Sequence, residues 1–157
     1  MNPVQQLAKH LRDVHFGGNW TAVNLKETVS GISWQQATEQ VATFHSIAEL
    51  VFHMNYFVKA VVKVLQGGPL DAHDKFSFDA PSIRSQTDWD EFLQMVWADA
   101  EEMANLIEKL PEEQLEQDFA HEKYGSYHRN FLGVIEHCHY HLGQIVLIKK
   151  LIQSSTG

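Results

Sequence analysis

The sequence predicts an all-α protein, a four-helix bundle with long interhelix connections. Four stretches place apolar residues at steps of three and four, and none shows the apolar-polar alternation of a half-buried strand. Each apolar stripe must face another, which in a chain of 157 residues gives one bundle spanning residues 1–157 as a single domain.

The first helix runs over residues 3–15, with Val4, Leu7, Leu11 and Val14 on one face and Gly17-Gly18 as its stop. Residues 19–37 are irregular apart from a short helical turn at Leu25 to Val29. The second helix is expected over 38–66, a stretch without proline or glycine that carries Val41, Phe44, Val51, Val58 and Leu65 and stops at Gly67-Gly68-Pro69. The connection from Asp71 to Gln86 is longer than most structural loops, which suits a pocket wall. Asp88 with Glu91 reads as an N-terminal cap for a third helix through Leu110, closed by Pro111. The fourth helix is expected from about Tyr127 to Gln153.

Twelve basic against twenty acidic residues leave a formal charge of −8, which repels phosphate backbones and anionic lipid head groups. The basic residues form no stripe, so neither nucleic acid nor a membrane surface is an expected partner. No run of eighteen apolar residues is present, and the charged N-terminus lacks a signal-peptide core, so a soluble cytoplasmic protein is expected. The single cysteine, Cys138, is read as a small core residue. Ten histidines stand out and point to a chemistry that uses neutral imidazoles.

Three of these histidines form a pattern. At about 100° per residue, His137 and His141 lie roughly 40° apart and one turn along a helix, so both rings can reach one ion. Imidazole nitrogen suits zinc, nickel, copper or iron better than magnesium or calcium. His139, about 200° round from His137, points away. A third ligand must come from another helix, and His53, mid-helix beside core positions, is costly to leave unpaired and well placed to meet the fourth helix.

Other architectures fit less well. A di-iron bundle needs two Glu-x-x-His pairs, whereas the helices offer only Glu136-x-x-His139. His121-Glu122 lacks the second histidine of a zincin motif, and neither a nucleophile elbow nor a glycine-rich phosphate loop is present.

Gly18-Asn19-Trp20-Thr21, the segment Ser46 to His53 and His137-x3-His141-Leu-Gly-Gln144 together resemble the DinB-like superfamily of four-helix metalloproteins, which is unrelated to the DNA polymerase of that name. The resemblance covers nearly the whole chain. Its last motif is the most specific part, although an arginine usually stands where this chain has Leu142. It implies one metal ion, zinc or nickel, held by His53, His137 and His141. It further implies homodimers formed through bundle helices and, in some branches, reactions that use low-molecular-weight thiols such as mycothiol or bacillithiol.

Three protein ligands leave an open coordination position, as catalytic sites require. The expected function is therefore a metal-dependent hydrolase or thiol S-transferase acting on a small molecule. The alternative is a noncatalytic metal-binding or stress-response module with a structural ion. Gln144 is expected either to orient a bound water or a ligand ring or to pack between helices, and Glu49, one turn before His53, is read as a solvated surface acid with an acceptor role toward that ring as the alternative. His45 and His128 are read as surface histidines, with acid-base roles in the pocket held in reserve.

Overall fold

The computed structural model describes residues 1–155, and α-helix dominates them. Helix α1 spans Pro3–Phe16. Asn2 caps it by accepting from the Gln5 amide at 3.0 Å while the Gln5 side chain accepts from the Asn2 amide at 3.1 Å, which satisfies two donors the first turn leaves open. Gly17 at φ 113° and Gly18 at φ 103° then turn the chain away in a region where a side chain is strained.

Two short helices follow, α2 at Leu25–Val29 and α3 at Trp34–Thr38. The first agrees with the sequence; the second lies at the edge of the stretch expected to be irregular, where Ser33 and Gln36 build a reciprocal cap.

The second long helix, α4, spans Ile47–Leu65 and not 38–66. Residues 39–46 are non-helical, with Ala42 at φ 50°. Ser46 decides the start: its hydroxyl accepts from the Glu49 amide at 3.3 Å and its own amide donates to Glu49 Oε2 at 2.7 Å. The stop falls where expected, since a Cβ on Gly68 would meet the Lys63 carbonyl oxygen at 2.9 Å.

Helix α5 spans Gln86–Glu108 and is capped by Ser85, not by Asp88. The Ser85 hydroxyl accepts from the Asp88 amide at 3.1 Å, and the Asp88 carboxylate accepts from the Arg84 amide at 2.8 Å, so the acid sits inside the first turn, where the helix dipole favours it. Helix α6 spans Tyr127–Ser155.

Helix α1 packs on α5 and α6, and α4 packs on the same two, so the four long helices form a ring in which α4 and α6 are neighbours. Leu11, Val51, Met54, Trp89, Phe131 and Ile145 fill the space between them. Polar clasps hold the seams. Arg12 binds Glu101 at 2.9 Å and Glu108 at 2.6 Å across α1 and α5, and Asn55 of α4 donates to Asp99 of α5 at 2.7 Å. Among the described residues no helix is long and apolar enough to cross a membrane.

Candidate metal centre

His53 lies midway along α4, one turn after Leu50 and beside Met54, both buried. His137 and His141 lie one turn apart on α6. Because α4 and α6 are neighbours, the three rings converge: His137 Nε2 stands 2.9 Å from His53 Nε2 and 3.0 Å from His141 Nε2. One donor atom from each lies within 4.8 Å of the others, so His53, His137 and His141 form a group that can hold one metal ion.

The tautomers follow from the outer contacts of each ring. The Ser77 hydroxyl donates to the Asp74 carbonyl at 2.7 Å, so the 3.0 Å contact between Ser77 Oγ and His53 Nδ1 must be donated by the ring. The Ser77 carbonyl, 3.3 Å away, accepts from the same nitrogen. His141 Nδ1 likewise donates to Gln144 Oε1 at 2.6 Å. With hydrogen on Nδ1, both rings turn an Nε2 lone pair toward His137 Nε2. No outer contact fixes the hydrogen of His137, so its Nε2 can either donate to one of these lone pairs or join them around a cation.

His137 completes the set with its own Nε2, while its Nδ1 is buried and has no partner among the described residues. Burial, then the neighbouring His141 and His53, pushes the His137 imidazole down to about 4. Burial foremost also lowers His53 and His141 from the ordinary histidine value. All three therefore favour the neutral form that a metal requires. Nitrogens bound at about 2.0–2.1 Å around a tetrahedral ion lie about 3.3 Å apart, so the 2.9 and 3.0 Å spacings of His137 to the other two rings need to open by only a few tenths of an ångström.

Aromatic rings wall the cluster. Phe78 is sandwiched between His53 and His45, with ring centres 3.9 Å away on each side and interplanar angles of 5° and 6°. Phe57 meets His53 and His137 edge-on at 5.3 and 5.0 Å. A cavity of about 830 Å³ opens beside the cluster, lined by His141, Gln144, His45 and Phe78, and a smaller one of about 440 Å³ reaches His137.

Gln144 belongs to the site, but its oxygen is engaged with the ligand ring. Glu49 does not reach His53: its carboxylate is drawn to the Ser46 amide and lies 3.6 Å from His45 Nδ1. His45 is half-exposed at the cavity wall, whereas His128 is exposed in the first turn of α6 and lines neither cavity. His139 is off the cluster and feels His10 of α1. Cys138 is fully buried, and burial raises its thiol to about 12, so it packs as a hydrophobe.

Sequence reasoning missed Ser77, Phe78 and Phe57. The only sign of the first two was the length of the connection they occupy, and Phe57 was visible as an aromatic one turn after His53.

A helical bundle whose neighbouring helices present three inward imidazoles defines a class of helical proteins with an interior site for a metal ion. Within that class the family model described as the DinB superfamily matches residues 15–145, and the chain belongs to that superfamily. No curated protein and no solved structure matches it.

Proposed function

We propose that the chain binds one zinc or nickel ion through His53, His137 and His141 and uses it for hydrolysis or thiol S-transfer on a small molecule. The observation that carries this reading is the convergence of three imidazole Nε2 atoms, the three donors grouped there among the described residues, beside a cavity of about 830 Å³. A catalytic site keeps a coordination position for something other than protein, whereas a structural site usually closes with four protein ligands.

When bound, such an ion supplies Lewis acidity that holds a nucleophile as its anion near neutral pH. The chain's own groups do the rest. Ser77 and Gln144 fix the His53 and His141 rings by accepting their Nδ1 hydrogens, and Phe57 and Phe78 keep water from the ring faces. In the transfer reaction the thiol comes from a low-molecular-weight cosubstrate, because the one thiol of the chain, Cys138, is buried and held protonated.

The test loads the purified protein with zinc or nickel and follows ester and amide hydrolysis and thiol-dependent consumption of electrophiles. Activity is expected with the loaded protein and lost in His53→Ala. Equal inertness of both across a broad panel would leave the ion a stabilising role and remove the catalytic reading.

A further inference from the structure

The large cavity beside the three histidines has a chemistry of its own. Its walls include Phe44, Leu50, Phe78, Leu147 and Ile148, and its volume of about 830 Å³ lies within the range of small-molecule sites, about 300–1,000 Å³. Polar groups are few and segregated. His141 and Gln144 stand at the end that meets the cluster, and Lys150 stands nine residues further along α6.

Lys150 is the one lysine or arginine on this lining, and no carboxylate lines it. In a chain of net charge −8 that is an unusual surface. Several other cations along the helices are engaged: Arg12 with Glu101 and Glu108, Arg129 with Glu136, and Lys149 with the Thr28 carbonyl. No carboxylate among the described residues pairs with Lys150, which leaves its ammonium for a group that enters the cavity.

We propose that this cavity takes an amphipathic organic anion, with an acyl or aryl body against the apolar walls, a carboxylate or sulfonate toward Lys150 and its reactive end at His141 and Gln144. Nine helical residues rise about 13.5 Å and turn about 900°, so His141 and Lys150 flank the cavity from opposite sides of α6 and the ligand crosses it from one to the other. The assignment names the substrate class of the three-histidine site and so rests on the function proposed for it.

Two fluorescent probes share an aryl body and differ in charge: 8-anilinonaphthalene-1-sulfonate is an anion and N-phenyl-1-naphthylamine is neutral. Each is titrated against the metal-free full chain, the zinc-loaded chain and His53→Ala, so that loss of metal binding and loss of cavity binding are read separately. One anionic probe per chain is expected. Lys150→Glu should weaken the anionic probe about tenfold or more and the neutral probe less than about twofold, because only the charged pair changes. Leu147→Glu, at a side chain 62% exposed and therefore tolerant of the change, should weaken both. Absence of binding, or an anionic probe indifferent to Lys150→Glu, overturns the proposal. So does a dimer in sedimentation that binds probe only after Leu147→Glu breaks it, since a second copy would then cover this face.

Discussion

The Nε2 atoms of His53 and His137 lie 2.9 Å apart although 84 residues separate them in the chain. His53 donates from Nδ1 to Ser77 and so presents an Nε2 lone pair, which either accepts a hydrogen from His137 Nε2 or shares a metal ion with it. From this relationship the following outcomes are expected.

Replacing any one of His53, His137 or His141 by alanine should remove stoichiometric zinc binding, while His139→Ala should leave it intact. Titration calorimetry with metal analysis after dialysis checks this, and retention of one tightly bound ion by His137→Ala would refute the three-ligand set.

Ser77→Ala should weaken the metal by about 10- to 100-fold, the usual effect of removing a group that orients a ligand histidine. The structure should remain folded, because the Ser77 carbonyl still lies 3.3 Å from the ring. Gln144→Ala should act in the same direction through His141. Competition against a chromophoric chelator measures both.

Acid should destabilise the metal-free protein in a defined window. The His137 imidazole is held down to about 4 in the folded chain, against about 6.5 when unfolded, so below about 6.5 the unfolded chain binds more protons and stability falls as pH drops toward about 4. His53 and His141 are lowered too and add to the same slope. Urea melts at pH 7, 5.5 and 4.5 should show the decline, and His137→Gln should flatten it.

Ser46→Ala should cost about 1 kcal/mol, the typical value of a helix cap, which for a domain of this size lowers Tm by about 2–4 °C. Metal stoichiometry should not change, nor should it in Glu49→Gln, because the Glu49 carboxylate serves the start of α4 and not His53. A loss of metal affinity in Glu49→Gln would reverse that assignment.

Cys138 should resist a thiol reagent in the native state and react fully in urea, because burial holds its thiol at about 12. Labelling followed by mass measurement separates the two states.

Much of this architecture was written in local spacing. The apolar steps of Val4, Leu7, Leu11 and Val14 marked α1, and the pairing of His137 with His141 follows from the helical period alone, which needs no knowledge of neighbours. The start of α4 was also legible, since Ser46-x-x-Glu49 is a capping pattern, but the absence of glycine and proline over 38–46 masked it. The same pattern gives Glu49 its partner, the Ser46 amide.

The sequence by itself determined four amphipathic helices, the pair of imidazoles on the last of them and the choice of His53 as a polar residue in need of a partner. Tertiary structure alone decided that α4 lies beside α6, that Ser77 and Phe78 come from a long connection to hold the His53 ring, and that Lys150 faces an apolar chamber. Helical periodicity acts over a few residues and is carried by the chain locally, whereas these meetings depend on which apolar stripes bury one another, a choice made by the whole bundle at once.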